Sequence, residues 1–409
     1  MSPDPVGNQK PQRLVFIVGL TIGLSILGDS FLYGNLPIEA ENLGIALPLV
    51  GVLLSANRLV RLISNTWASS LYEKLGPRKP FIAATVLALL TTSLYGVGWG
   101  FTVFLLARMG WGIAWSALRQ GGYQAVWTAG QYGKGRMMGL LWGMIRLGSA
   151  FSVVFGGYLR DLWGYRVGVL GIVSISALAI PVSASIGWPA EAQRITSSKQ
   201  SFWQGWREAV KTERGRRLLL AGSLHSLFEG VLIATASLFL ARRLGTFDFL
   251  SSLGIRIGTI AGLLLALRWT SDILFAPLIG WLSDHLGQLH SLALLVCVLL
   301  ISLIGAVNFR GPFLFFCLAF LFISSAGLNV TLNALANGLS TQMERPHIYL
   351  GVYATAADGG AALGPLLAYS AGALISLAAL YVVAGTVLTA AIFRYCWTGT
   401  KNPVLGGRV

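Results

Sequence analysis

The sequence predicts an all-α, polytopic membrane protein, and three observations carry this prediction. The chain of 409 residues is 55% hydrophobic and only 11% charged, with a mean hydropathy of +0.70. Soluble globular domains contain about 25% charged residues, so an ordinary soluble protein is excluded. The second observation is a series of long apolar segments, and the third is a motif that recurs 211 residues further along the chain.

Twelve apolar segments are long enough to cross a hydrocarbon core of about 30 Å, for which a helix needs roughly 20 residues. These spans, numbered 1 to 12, cover 14–37, 46–71, 80–100, 102–127, 138–159, 165–188, 217–241, 255–282, 289–309, 312–338, 348–372 and 375–396. Their joints are short, except at 189–216. Span 1 is too long for a signal-peptide core and lacks a small-residue cleavage site, so we expect it to remain in the mature protein.

The basic residues predict the orientation. With the N-terminus in the cytoplasm, 18 Lys and Arg residues fall on the inner side and six fall outside. Lys and Arg concentrate on the cytoplasmic side of membrane proteins, so we expect both termini inside a cell membrane, either a bacterial inner membrane or a plasma membrane. The net charge of +15 therefore does not indicate nucleic-acid binding. The long inner connection is either a basic amphipathic helix on the anionic leaflet, with Phe202, Trp203, Trp206 and Val210 on one face, or a disordered linker.

The interval of 211 residues indicates a duplicated chain. Glu73 and Gly76 in SSLYEKLGPRKPF correspond to Asp284 and Gly287 in GWLSDHLGQLH. Two six-helix halves, related by an axis along the membrane normal, form a common transporter architecture. The predicted divisions are a cytoplasmic tail at 1–13, a six-helix bundle at 14–188, a cytoplasmic linker at 189–216, a second six-helix bundle at 217–396 and a cytoplasmic tail at 397–409.

Two stretches resemble motifs of the major facilitator superfamily. SSLYEKLGPRKP is similar to that family's loop between helices 2 and 3, through Leu71, Lys74, Gly76, Arg78 and Lys79. The usual Asp is replaced by Glu, and the leading Gly is replaced by Ser. LLARMGWGIAWSA in span 4 is similar to the family's Arg-x-x-x-Gly-x-(Gly/Ala)-Ala element. The resemblance covers the whole chain and implies a twelve-helix secondary transporter that works by alternating access.

Within the family, the chain resembles the proton-coupled efflux members, with one departure. The Gly-Pro signature that antiporters carry in helix 5 is missing from LGSAFSVVFGG, although span 11 contains Gly364-Pro365. We therefore expect a multi-pass transporter that binds a small molecule and a proton or another coupling ion, contacts membrane lipids and acts as a monomer. Antiport is a weaker expectation than transport.

The resemblance also implies gating residues. In the family, the acidic residue of the loop pairs near the start of helix 11, so Glu73 is expected to hold the inner ends together, and Glu73→Gln is expected to favour the inward-open state. Lys74, Arg78 and Lys79 would then lie against anionic headgroups, and Asp284 holds the equivalent acidic position in the second half. The alternative is a positive-inside loop with no further role.

The repeat places Arg residues of the first half where the second half has Asp. Arg61 corresponds to Asp272, and Arg146 corresponds to Asp358. The family's helix packing then implies Arg61 with Asp358 and Arg146 with Asp272 as latches on the cytoplasmic side, which charge swaps would test. Two alternatives remain open: Arg268 could pair with Asp272 as an i, i+4 neighbour, and Arg61 or Arg146 could bind an anionic substrate.

Ionisable residues at membrane depth mark candidate sites, because each costs several kcal/mol unless it faces a partner or a wet cavity. Asp29 in span 1 and Arg108 in span 4 lie at similar depth in the outer half, so they could meet. The family associates the helix-4 Arg with proton coupling, so Asp29 and Arg108 are the first candidate for a proton site. His225 and Glu229, four residues apart on span 7, are the second. Structural ion pairs are the alternative for all four.

The substrate prediction depends on charge. Six Arg residues and four carboxylates lie at membrane depth, and Arg presents a forked donor set that suits carboxylate or phosphate. We expect an organic anion or an amphipathic compound with an acidic group. The candidate contacts are Arg58, Arg119 and Tyr123, with apolar or stacking walls from Trp111, Trp115, Phe228 and Trp269. Plain packing is the alternative for the aromatic residues.

Other functional classes fit the sequence less well. A lipid or lysolipid flippase of the same fold is one alternative, and a non-transporting sensor or scaffold is another. An enzyme is not expected, since the sequence contains no P-loop, metal-binding cluster or nucleophile motif. For the same reason we expect no cofactor. The three cysteines form no disulfide framework.

Overall fold

In the computed structural model, the described residues are 11–129, 134–189, 207, 210–243, 255–343, 346–372 and 374–401. Helices account for the regular structure of these residues, and no strand occurs within those ranges. Most of the predicted amphipathic linker helix, including Phe202, Trp203 and Trp206, lies outside the described residues.

Fifteen α-helices lie in the described ranges. They are α1 (Pro11–Ser25), α2 (Leu27–Glu39), α3 (Leu47–Leu75), α4 (Arg78–Val97), α5 (Gly100–Thr128), α6 (Lys134–Trp163), α7 (Tyr165–Ser176), α8 (Ala179–Ala184), α9 (Glu213–Arg243), α10 (Ile257–Leu274), α11 (Ala276–Leu286), α12 (Gln288–Asn308), α13 (Pro312–Ser340), α14 (Pro346–Ala371) and α15 (Leu377–Lys401).

The helices follow the predicted spans. Within the described part of the chain, eleven helical segments are long and apolar enough to cross a membrane. Span 11 corresponds to α14 (26 residues), which is not among those eleven segments. Spans 1, 6 and 8 are each divided into two helices, at Ile26, at 177–178 and at Phe275.

The sequence repeat is also a structural repeat. Gly76 ends α3 and Gly287 ends α11, with φ of +71° and +82°, a conformation that glycine adopts without steric cost. Gly100 and Gly311, also 211 residues apart, have positive φ at the starts of α5 and α13. Both of those helices contain 29 residues. The two halves therefore repeat their turns as well as their spans.

The chain divides into two compact units. Unit 1 comprises Met1–Ile45, Leu59–Ser198 and Phe249–Ala266, and unit 2 comprises Ala46–Arg58, Lys199–Asp248 and Leu267–Val409. The first part of α3 therefore belongs to unit 2, and the first part of α10 belongs to unit 1.

Small residues allow close helix packing inside each unit. In unit 1, Gly28 of α2 lies against the side chain of Thr92 on α4. In unit 2, Gly360 of α14 lies against the carbonyl of Ser223 on α9. A larger side chain at either glycine would collide with its neighbour, so these contacts fix which faces of α2 and α9 point inward.

Candidate functional site

The first candidate site is a buried ion pair in unit 1. Asp29, in the first turn of α2, forms an ion pair with Arg108 of α5, as their predicted depths suggest. The Arg108 side chain is fully buried, and the Asp29 side chain is 13% exposed. The Arg108 guanidinium also lies 5.6 Å from the centroid of the Tyr33 ring. An Arg at this depth needs a counter-charge, and Asp29 supplies it.

The second candidate site is a cluster of one Arg and two carboxylates in unit 2. Arg268 of α10 forms ion pairs with Glu229 of α9 and, at 2.9 Å, with Asp272 on its own helix. The Arg268 side chain is 1% exposed. The predicted neighbour His225 binds elsewhere, since its Nε2 lies 2.9 Å from the carbonyl oxygen of Ser325.

A third charged cluster lies in unit 1, at the C-terminal end of α2. Arg160 of α6 donates a 2.7 Å hydrogen bond from Nε to Glu39 and forms a 2.9 Å ion pair with Asp161. The Asp161 side chain is fully buried. It accepts hydrogen bonds from the backbone N–H groups of Gly258 and Thr259 at the start of α10. The Asp161 carboxylate therefore caps the N-terminus of α10, although α10 begins nearly one hundred residues further along the chain.

Sequence reasoning missed this third cluster. Glu39, Arg160 and Asp161 follow or end long apolar segments, where charged residues are read as ordinary loop charges. One signal in the sequence could have indicated it. The residue that precedes the first residue of α10 is Arg256, and Arg is not among the residues that cap helix N-termini well. A helix start without its own cap needs an acceptor from elsewhere.

The predicted substrate residues are distributed over both units. Arg58 donates a 2.8 Å hydrogen bond to the carbonyl oxygen of Ala361 within unit 2. Arg119 and Tyr123 lie half-buried on α5. The four predicted aromatic walls are all buried, which suits packing at least as well as substrate contact; they are Trp111, Trp115, Phe228 and Trp269. Their part in substrate binding stays a prediction.

The predicted latch residues likewise lie in both units. Arg61 and Arg146 belong to unit 1, and Asp272 and Asp358 belong to unit 2. Asp272 takes the local partner Arg268. The Arg146 guanidinium lies 5.9 Å from the centroid of the Trp142 ring within unit 1. The latch role stays a prediction.

The residues of the repeated loop lie at helix ends. Glu73 and Lys74 are exposed in the last turn of α3. Arg78 starts α4 and donates a 3.4 Å hydrogen bond to the carbonyl oxygen of Ala184. Asp284 belongs to α11, and its side chain lies outside the described atoms. A gating role for these residues stays a prediction too.

No metal centre is indicated among the residues that the structure describes, since they contain no group of three or more His, Cys, Asp or Glu suited to a metal ion. The charged clusters are instead pairs and triads of Arg with carboxylates.

Comparisons with solved structures identify the fold. The nucleoside transporter NupG has a TM-score of 0.74 at 12% identity, over 95% of this chain and 98% of that one. A bacterial homologue of the human lysosomal transporter Spinster, solved inward-facing and unoccupied, has a TM-score of 0.73 at 13% identity, over 96% and 97%. A mutant of the E. coli fucose:proton symporter FucP has a TM-score of 0.57 at 15% identity, over 95% and 98%. At these identities the likeness shows the fold alone.

Comparison of the sequence with known families gives the assignment. No curated protein sequence matches the chain. The profile described as Major Facilitator Superfamily matches residues 18–258, more than half of the chain. Together with eleven membrane-spanning helical segments among the described residues, this match makes the chain a multi-pass membrane protein with a transporter fold, and it belongs to the major facilitator superfamily.

Proposed function

We propose that the protein is a proton-coupled secondary transporter that exports a small organic solute with an acidic group across a cell membrane. The observation that carries the proposal is the buried ion pair of Asp29 and Arg108 in unit 1. Arg keeps its proton at all physiological pH values, so Asp29 is the partner that can change its charge. The Asp29 side chain is 13% exposed, which would let a proton reach its carboxylate.

Proton binding at Asp29 would remove the counter-charge of Arg108. An unpaired buried charge costs several kcal/mol, so the protonated and ionised forms favour different arrangements around Arg108. A ligand shifts a conformational equilibrium only through such a difference. The pair is therefore suited to coupling proton movement to alternating access.

The charge balance supports an anionic substrate. Six Arg residues and four carboxylates lie at membrane depth across the two units. The six are Arg58, Arg61, Arg108, Arg119, Arg146 and Arg268, and the four are Asp29, Glu229, Asp272 and Asp358. A cavity for cationic compounds would be expected to have the opposite balance. Export is proposed from the resemblance to proton-coupled efflux members.

The experiment has two stages. Metabolites are first compared inside and outside cells with and without the protein, which gives the substrate and its direction together. Proteoliposomes are then loaded with that substrate, and transport is driven by an imposed pH gradient. We expect Asp29→Asn to abolish gradient-driven transport and to leave substrate exchange. Full gradient-driven transport by Asp29→Asn would contradict proton coupling at this site.

Two controls keep the result interpretable. Asp29→Asn removes the Asp29 counter-charge from the buried Arg108, so the Asp29→Asn, Arg108→Gln double variant tests whether folding alone explains a loss. Glu213→Gln removes a carboxylate that is 57% exposed and is expected to leave transport unchanged. Labelled phospholipid in the same liposomes detects flippase activity, and rapid lipid exchange without solute transport would overturn the solute proposal.

A further inference from the structure

An open pocket lined by both polar and apolar residues lies in unit 1 beside the last turn of α2. Its volume is about 360 Å³, and its lining includes Glu39, Asn42, Gly98, Trp163, Tyr165 and Arg166. Asn42 donates a 2.9 Å hydrogen bond to Glu39, and Trp163 is 63% exposed. We call it the Glu39 pocket. In the orientation that the basic residues predict, it faces the external side.

Buried polar atoms lie behind this pocket. Tyr165 is 6% exposed and Tyr95 is 1% exposed. The Tyr165 hydroxyl meets no hydrogen-bond partner within the part of the chain that the structure describes, and the same holds for Oδ1 of the fully buried Asn35. The Tyr95 hydroxyl faces the Arg108 side chain but has no well-aligned hydrogen bond among the described residues. Buried polar groups nearly always bind either protein or ordered water. The two hydroxyls are therefore candidate water-binding positions.

Other buried tyrosines behave differently. Tyr72 and Tyr369 each donate a hydrogen bond to a backbone carbonyl, at 2.8 Å and 2.7 Å. The Tyr381 hydroxyl lies 2.8 Å from that of Thr235. These satisfied tyrosines are controls for Tyr95 and Tyr165, because they are buried as well.

The helix packing brings Tyr95 and Tyr165 to neighbouring positions. A Cβ at Gly96 of α4 would lie 3.2 Å from the Val169 side chain on α7, and one at Gly98 would lie 3.7 Å from Arg166. The end of α4 therefore runs along the first turns of α7, with Tyr95 and Tyr165 at this junction.

The same two residues connect the pocket to the ion pair. Tyr165 interacts electrostatically with Glu39 and with Tyr95. Tyr95 in turn interacts electrostatically with Arg108 and Asp29. Asp29 and Glu39 are ten residues apart on α2, a helical rise of about 15 Å. A chain of hydroxyls and waters would be needed to carry a proton over this distance.

We propose that the Glu39 pocket is the mouth of a hydrated proton path within unit 1, which reaches Asp29 through the hydroxyls of Tyr165 and Tyr95. The proposal rests on the proposed function, because it supplies the proton that Asp29 binds. Each water and hydroxyl donates its own proton onward and accepts one from behind. One proton therefore moves from solvent to the Asp29 carboxylate, the tyrosines stay neutral, and the ion pair with Arg108 is broken.

The ionisable groups around Asp29 come from several helices. Arg108 lies on α5, Tyr33 on α2 itself and Tyr95 on α4. At this level α6 contributes the uncharged Ser152, which binds the carbonyl of Leu27. The exposed 13% of the Asp29 side chain offers a competing route for protons, and the experiments below separate the two routes.

The first experiment detects water beside the tyrosines in the wild-type protein. The full chain in lipid nanodiscs is exposed to short X-ray pulses, and oxidation of each tyrosine by radicals from adjacent water is measured by mass spectrometry. We expect Tyr95 and Tyr165 to be oxidised at least severalfold faster than Tyr72 and Tyr381. Equal rates at all four positions would overturn the proposal.

The second experiment measures proton delivery with protons as the only ligand. Protonation of Asp29 after a drop in external pH is followed by time-resolved infrared difference spectroscopy, and its carboxyl band is identified by its loss in Asp29→Asn. We expect Tyr165→Phe and Tyr95→Phe to slow this step by about tenfold, equivalent to about 1.4 kcal/mol in activation free energy. Tyr381→Phe should leave the rate unchanged.

The outcomes separate this proposal from the proposed function. An unchanged rate in both Phe variants would mean that protons reach Asp29 by its exposed edge, and it would overturn the path alone, even if the tyrosines were oxidised rapidly. Absence of an Asp29 carboxyl band at every external pH would overturn both the proton site and its path.

Discussion

The N-cap that Asp161 provides should be one of the strongest single polar contributions to the stability of unit 1. The fully buried Asp161 carboxylate receives backbone N–H groups of Arg256, Gly258 and Thr259 at 2.7–3.1 Å, and the Thr259 hydroxyl at 2.8 Å. Gly258 and Thr259 are buried, whereas Arg256 is exposed. Two backbone donors would therefore have no access to water if the carboxylate were removed.

The expected cost of Asp161→Ala follows from those two donors. A buried donor left unsatisfied costs about 1–3 kcal/mol, so two of them predict a loss of about 2–6 kcal/mol in the free energy of unfolding. The full penalty for a stranded buried charge does not apply, since Arg160 keeps its ion pair with Glu39. Asp161→Asn keeps one acceptor oxygen and should lose about half as much.

The assay is equilibrium unfolding of the purified full chain in mixed micelles, followed by circular dichroism. The matched control is Glu213→Ala, which also removes a carboxylate paired with an Arg, but at a position that is 57% exposed. An exposed ion pair contributes at most about 1 kcal/mol, so the control should change little. If Asp161→Ala destabilises no more than Glu213→Ala, the capping argument is wrong.

Two further predictions concern the Arg268 cluster and the repeated turns. Glu229→Gln and Asp272→Asn should each destabilise the protein weakly, because Arg268 keeps one carboxylate partner in each. The double variant should lose about 3–5 kcal/mol in the free energy of unfolding. If the loss in the double variant equals the sum of the two single losses, the two carboxylates do not share Arg268 as a partner. Gly76→Ala should cost roughly 1–2 kcal/mol because its φ is +71°. Gly139→Ala, within α6 and with open space around its Cα, should stabilise by about 0.5–1 kcal/mol; equal effects of the two alanines would refute the backbone argument.

The sequence predicted those features that local rules govern. Apolar length alone gave the spans, and the paired glycines at 76 and 287 marked turns that the structure has with positive φ. The meeting of Asp29 and Arg108 was also predictable, since depth along a straight helix follows from residue count. The helix breaks at Ile26 and Phe275 could not be predicted from the length of the apolar segments, because each segment continues through the break without interruption.

Contacts between helices that are distant in sequence were harder to predict. Asp161 caps α10 across 97 residues of chain to Gly258, and this contact depends on how α6 and α10 are rotated against each other. The pattern of apolar residues does not predict that rotation here, because the residues near the contact, Arg160, Asp161 and Arg256, are charged. The same limit applies to Tyr95 and Tyr165. In the sequence they are ordinary aromatic residues of apolar helices, and only the structure shows that neither hydroxyl has a well-aligned hydrogen bond among the described residues.

The two buried Arg residues differ in how much one proton changes their surroundings. Arg108 pairs with the Asp29 carboxylate, so protonation of Asp29 removes that counter-charge inside unit 1. Arg268 has two carboxylate partners, so protonation of one leaves a neutral cluster that is still paired. Because a stranded buried charge costs several kcal/mol, a proton at Asp29 has the larger differential effect. A coupling site must produce such a difference between states, which is why the proposed function assigns the transported proton to Asp29 and not to the Arg268 cluster.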